Sequence, residues 1–582
     1  MSVYTYDNLK RILSTERGQQ LVSQIRFAYQ ELFEGKPIER SSYADFMHIF
    51  DENGDTTTCD RIDTRRKLRL FCLQILAIDN DKYIVDLEEL LAEFCSQYAW
   101  FSSYHGRNNE EKTFNYSQID LDTAHMSALI SSTYGIMKDK LGNDIKIRIR
   151  REIERRVIVP FENNPTYFGL DGKCNSNWIA TQTFGTGFAY LYVFPERLPK
   201  VKKKLFDSIE VYLSGLTEDG YSTEGFTYWY YGFGSMTVFL DAYEQETEED
   251  ITDITRSSKV LDSLKFGQNA VLKNGFGLPF ADHQKPMFKS TTNSFPHVTF
   301  KRLFGEKFAL YDVYDGTKLF VRNGDGELVT NGISRNDSGY HRIIALETFE
   351  EGCVGGNVKN GTCVFPIGGA FICNRERYSF VAKAGHNGEN HNHNDIGTFA
   401  LYVGEKNIFP DVRSHKYDAK YFDLRYRYSE ETFAASSCGH SVPIVDGKNQ
   451  MYGEKYRGEI TDSSDDLFEV NISDAYDIDI STLKVRYELS EDTVRITYTI
   501  DEPSDHTLTF RFIAEYEPSE IDGGFDVCGT KLLSVQGLPC KARRVDYLGH
   551  LVGDVTVYTL DFDAGSVKNG KFEFDIYVGQ NI

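Results

Sequence analysis

The chain has 582 residues and carries 64 Lys and Arg against 87 Asp and Glu, a net charge of −23. Nucleic-acid proteins and binders of anionic membranes need basic surface, so both classes are disfavoured. With 41% hydrophobic and 26% charged residues, the composition excludes a collagenous or largely disordered chain. At about 150 residues per domain the length suggests about four domains.

Met1 to Lys10 shows no basic region followed by an apolar one, so no secretory signal is visible and a cytoplasmic location is expected. Helices are expected over 7–33, 120–139, 197–214 and 226–245. Leu87, Leu90, Leu91 and Phe94 repeat at helical spacing and form one apolar face. The longest apolar stretch, Leu68 to Ile78, is broken by Arg69 and Gln74 and is too short to cross a bilayer. Ile145 to Arg156 reads as a helix with a solvated basic face, stopped by Pro160, and Lys202 to Lys204 reads as another solvated face.

From about residue 360 the period changes. Segments 377–383, 398–403, 493–500, 508–512 and 572–578 are rich in β-branched and aromatic residues, with Gly, Asn and Asp between them, as in antiparallel strands and turns. The expected division is a helical domain over 1–355 and an antiparallel β domain over 356–582, with the switch at Gly355-Gly356. A small C-terminal β subdomain from about 500 is a variant of that division. The ten cysteines show no Cys-x-x-Cys spacing and are expected to be reduced, most of them as core residues.

The densest polar cluster is His386 to Asp395, containing His391-Asn-His393. If that triplet is extended, both rings fall on one side, as half of a metal site or a site of proton chemistry. Asp411 and His440 follow, and two imidazoles with one carboxylate suit zinc. On spacing alone, a hydrogen-bonded loop stays open as the other reading. In the helical half, Glu224-Gly-Phe-Thr-Tyr228-Trp-Tyr-Tyr231 enters a helix, with Tyr228 and Tyr231 on one face. An earlier loop reads Cys174-Asn-Ser-Asn177-Trp178. Aromatic core packing and turn formation remain open for these two stretches.

Taken in order, Asn175 to Trp178, Glu224 to Gly232, His391 to Phe399, and Asp411 through Tyr417, Arg425 and His440 to Gln450 resemble the heparinase II/III-like polysaccharide lyases. The resemblance covers about 170–450. It implies an α/α toroid followed by an antiparallel β-sandwich, and β-elimination at a 4-linked uronic acid in an acidic oligosaccharide. Such chemistry needs a group that neutralises the carboxylate, a base for the C5 proton and an acid for the leaving oxygen. By resemblance, Asn177 binds the carboxylate, Tyr231 serves as acid and in some members also as base, and His391 is a cleft histidine. His393, Asp411 and His440 match a structural Zn²⁺ triad, other divalent metals remaining open. Trp178, Glu224, Tyr228, Tyr417 and Arg425 are candidates for substrate contact. Many members place a histidine directly after the asparagine; here that position is Trp178, which favours Tyr231 in both roles.

The net negative charge and the N-terminal sequence suggest exolytic action on short, imported oligosaccharides of glycosaminoglycan type, with alginate-type oligouronates as an alternative. Two further readings stay open. One is a glycoside hydrolase using Glu218, Asp219 or Glu224. The other is a diverged, non-catalytic sugar-binding protein, motivated by Trp178. A homo-oligomer is compatible with all three.

Overall fold

The computed structural model describes residues 2–51, 57–108, 110–164, 175–283, 295–305, 319–330, 333, 336–349, 358–418, 420–550 and 552–579. The expected switch at Gly355-Gly356 lies outside them, as does Cys174. The chain divides into two compact units. One comprises Met1–Gly215, Tyr230–Val260 and Ser290–Gly356, the other Leu216–Trp229, Leu261–Lys289 and Asn357–Ile582. Two inner stretches therefore fold with the C-terminal part.

The first unit is built mainly of helices. The expected 7–33 helix is two, Tyr6–Leu13 and Glu16–Leu32. Thr15 caps the second by accepting the Gly18 N–H at 3.1 Å, and a Cβ at Gly18 would lie 2.4 Å from the Ile12 carbonyl oxygen, so the break needs glycine there. The apolar stretch 68–78 lies inside a 23-residue helix, Thr57–Asp79, and buries Leu70, Phe71, Leu73 and Leu76. Ile84–Ser96 buries the Leu87, Leu90, Leu91 and Phe94 face as its spacing predicts. Pro160 does not stop the basic helix. Asn143–Ile153 runs into a wide π-type turn, Glu154–Ile158, and on into Val159–Asn163. Such a turn reroutes the backbone hydrogen bonds that a proline cannot make. Among the described residues, no helix is long and apolar enough to cross a membrane.

Three helices carry this unit's candidate site residues: Leu121–Met137, Asn177–Phe188 and, from Tyr230 on, Phe226–Thr247. Glycines set their spacing. A Cβ at Gly185 would lie 2.2 Å from the Ala124 carbonyl oxygen, and one at Gly232 would lie 2.9 Å from Asn177 Cβ. Backbone therefore packs closely at both crossings.

The second unit is a β-sandwich. Strands Gly361–Phe365, Ala370–Asn374, Tyr378–Lys383, Phe399–Val403 and Lys406–Phe409 form an antiparallel five-stranded sheet. A larger antiparallel sheet is centred on two long strands, Thr493–Ala514 and Gly553–Tyr577. The segments 493–500 and 508–512, expected as separate strands, are the two ends of one. Phe371, Phe380 and Phe399 of the first sheet meet Phe468, Tyr487 and Phe512 of the second, with Phe371 stacked on Phe468 at 5.1 Å. That shared aromatic core is what makes the sheets one unit. All eight described cysteines are free thiols; Cys72, Cys95, Cys373 and Cys438 are buried, the other four only partly.

Candidate active site and metal centre

In the first unit, Ser176 caps the Asn177–Phe188 helix and leaves Asn177 fully buried in its first turn. Tyr231 lies next to Gly232, the residue that packs on Asn177. The Tyr231 hydroxyl lies 2.6 Å from Nε2 of His125, a buried residue on the Leu121–Met137 helix. No sequence pattern singles out His125, which stands alone in a helix of small and apolar residues. Trp178 is half-buried, its ring edge-on to His105 at 4.8 Å. His105 in turn contacts Asp120 at 2.7 Å. With Asp122 these two residues form an acidic cluster, but its groups are already engaged. Asp120 caps its helix through Thr123 N–H at 2.8 Å and accepts Ser102 N–H, and Asp122 faces Lys67.

In the second unit the organiser is Asp282, a residue that no sequence motif marks. Its carboxylate is almost wholly buried, with His391 Nδ1 at 3.0 Å, His393 Nε2 at 3.1 Å and the Tyr417 hydroxyl at 2.7 Å; Tyr421 also donates to it. Burial alone would raise its pKa, but the bonds from His391 and His393, with their charge, hold it well below the ordinary carboxylate range. The triplet His391 to His393 is not a strand: His391 lies in a turn with φ +56°. The two rings share a side because both reach Asp282, not because strand side chains alternate. Ala281 is also left-handed, at φ +67°, and Asp282 N–H donates to the His391 carbonyl at 3.1 Å. His391 is thus held to Asp282, the neighbour of Ala281, through both its carbonyl and its ring.

Tyr228 stacks on His391 at 3.6 Å and 11°, and its hydroxyl lies 2.8 Å from that of Tyr417. Burial, then the Asp282 charge, push both phenols well above their ordinary pKa, so they act as donors and not as bases. Glu224 is buried in the turn before this helix. Arg425 is not brought to the cluster; it is exposed and pairs with Asp423 at 2.9 Å. Arg427 takes that place, donating to the Tyr421 hydroxyl at 2.8 Å and lying 3.7 Å from Asp282. The four-residue spacing of Tyr417 and Tyr421 is the one sequence signal for this group. Asp219, a candidate for a hydrolytic pair, accepts the N–H groups of Ile367 at 2.9 Å and Gly368 at 3.2 Å, which commits it to holding a turn.

Beneath Asp282, one ligand atom each from His393, Asp411 and His440 lies within 4.8 Å of the others, and all three residues are buried. His393 is oriented by Asp282 through Nε2, and His440 by the Ala434 carbonyl through Nε2 at 2.8 Å. Each ring keeps Nδ1 for another partner. Among the described residues, those two nitrogens and both Asp411 oxygens are buried without a hydrogen-bond partner, although His440 Nδ1 approaches Asp411 to 2.9 Å. Leaving four converging polar atoms unsatisfied is costly unless a cation binds them. Two nitrogens and a carboxylate, each imidazole oriented from behind, fit a divalent metal.

No known family model matches the chain, and no curated protein matches it. Solved structures do, and they show the class of fold: a helical region followed by an antiparallel β-sandwich, as in a heparinase III and a heparan sulfate lyase. The chain is similar to a heparinase III at TM-score 0.59 and 12% identity, over 89% of this chain and 77% of that one. It is similar to a heparan sulfate lyase mutant from Pedobacter heparinus at TM-score 0.54 and 11% identity, over 99% and 90%. Against a chondroitin AC lyase from Streptomyces coelicolor the TM-score is 0.50 at 12% identity, over 99% and 83%.

Proposed function

We propose that the protein is a lyase that cleaves 4-linked uronic acid residues of acidic oligosaccharides by β-elimination. The observations that support this reading are the crossing at Gly232, where the residue after Tyr231 packs on the buried Asn177, and the 2.6 Å approach of the Tyr231 hydroxyl to His125 Nε2. A carboxylate bound by Asn177 makes the C5 proton more acidic, because the developing negative charge is hydrogen-bonded as it forms. Tyr231 then takes the C5 proton and returns a proton to the leaving oxygen. The C4–O bond breaks, a C4–C5 double bond forms, and the syn geometry lets one oxygen serve both steps. In the second unit, His391 is turned by Asp282 and held between Tyr228 and Tyr417, the candidates there for contact with sugar hydroxyls. Zn²⁺ held by His393, Asp411 and His440 would supply a fixed positive charge that anchors the loop carrying His391.

The net charge of −23 supports action on short oligosaccharides from a chain end in preference to long polyanions. The heparin, heparan sulfate and chondroitin class is the first to test, alginate-type oligouronates the second. Incubation with this panel, read by the ultraviolet absorbance of an unsaturated uronate, is expected to give signal on at least one substrate. New reducing ends without that absorbance would identify a hydrolase instead, and mixed-length products from intact polymer would overturn the exolytic mode.

A further inference from the structure

We propose that His125 is the proton partner of Tyr231 and supplies the function that Trp178, in place of the histidine common in similar lyases, does not. The proposal rests on the lyase reading above. A tyrosine that both removes and delivers a proton must begin the cycle with an oxygen able to accept one. A free phenol, of pKa about 10, is a poor base near neutral pH. At 2.6 Å from the Tyr231 hydroxyl, Nε2 of His125 is within reach of that proton.

The phenolic proton moves from Tyr231 Oη to His125 Nε2, leaving tyrosinate beside imidazolium. Oη takes the C5 proton, the C5–H electron pair becomes the C4–C5 double bond, and the C4–O pair leaves with the departing oxygen. That oxygen takes the proton now on Oη, so the tyrosinate–imidazolium pair is restored and no outside acid, base or oxidant is consumed. In water an imidazole, of pKa about 6.5, would not hold a phenol's proton. The 2.6 Å contact supplies an attraction between the two charges that works against that mismatch and against the cost of burying them.

The surroundings suit the role. His125 is 2% exposed, and its ring meets Phe184 edge-on at 5.8 Å. The small cavity beside it is lined by Ala128, Leu129, Ser132, Phe188 and Asn336, together with His341. His341 is the titratable neighbour across that cavity. Burial, reinforced by the charge of Arg302, depresses its pKa to about 3, so it stays neutral and does not repel an imidazolium at His125. The contact of Gly185 with Ala124, the residue before His125, fixes the height of the imidazole on its helix. His125 acts through Tyr231 and is a positioning residue in that sense.

Two measurements test this. In the activity arm, His125→Ala is expected to lose about 10²–10⁴-fold in kcat with little change in KM. Added imidazole should restore part of the loss in His125→Ala and none in Tyr231→Phe. Full activity in His125→Ala, or a loss that imidazole does not touch while circular dichroism shows an intact fold, would overturn the proposal. The second arm needs no substrate. In ¹⁵N spectra of the full chain, the His125 Nε2 resonance is expected to move between wild type and Tyr231→Phe, since the shared proton is lost. An unchanged resonance would overturn the proposal. If no uronate is cleaved by the wild type, the lyase reading fails and the spectra alone decide the His125–Tyr231 link.

Discussion

The two clusters achieve placement in opposite ways. In the first unit, backbone packing at Gly185 and Gly232 sets the helices that carry Asn177, Tyr231 and His125, and a short hydrogen bond joins Tyr231 to His125. In the second, Asp282 gathers two histidines and two tyrosines by direct bonds, with Arg427 close by, and holds two residues in left-handed conformations. A group that must gain and lose a proton is served by a partner close enough to share it. A group that must orient others is served by many, because each bond removes a freedom from the loop it holds. The first arrangement suits proton exchange and the second a fixed framework.

Substitutions separate the two. Tyr231→Phe deletes one oxygen and leaves the helix packing intact; a loss of about 10²–10⁴-fold in kcat with unchanged Tm is expected, and full activity would break the assignment. Asp282→Ala should do the reverse of a clean catalytic change. It strips a buried carboxylate from His391, His393 and Arg427, and a destabilisation of about 3–5 kcal/mol is expected in denaturant titration. The shift in Tm caused by a chelator in the wild type should vanish in the same variant, since His393 loses its orientation. A wild type that contains no metal by elemental analysis would remove the metal half of this comparison.

The remaining substitutions probe the packing side and the surface. Gly185→Ala forces a methyl against the Ala124 carbonyl oxygen, 2.2 Å away, so the helices must separate. About 1–3 kcal/mol of destabilisation is expected, together with a fall in kcat as His125 and Tyr231 move apart. Wild-type stability there would contradict the idea that backbone contact sets the pocket. Arg425→Ala should change neither Tm nor kcat/KM, since its guanidinium is exposed and pairs with its near neighbour Asp423, whereas Arg427→Ala should impair both.

What the residues disclosed in advance follows the same division. The helical period at Leu87 to Phe94 and the strand composition after residue 360 were legible because each signal is local. Asp282 was not, since its partners lie more than one hundred residues downstream and only tertiary structure joins them. His125 was hidden for a similar reason: a lone histidine on a buried helix has no pattern until the Tyr231 helix lies beside it. Arg425, named by resemblance, turns outward and Arg427 inward, because which arginine of the four-residue helix Leu424–Arg427 faces Asp282 depends on tertiary contacts. Pro160 misled because a wide turn can absorb a proline that an ordinary helix cannot.

Elimination at a uronate, driven by Tyr231, is tested most directly by mass spectrometry of the products from a short uronate oligosaccharide. The wild type is expected to release a fragment lighter by one water than the hydrolysis product, and Tyr231→Phe is expected to release none. Fragments at the hydrolytic mass, or the unsaturated fragment formed equally by Tyr231→Phe, would contradict it.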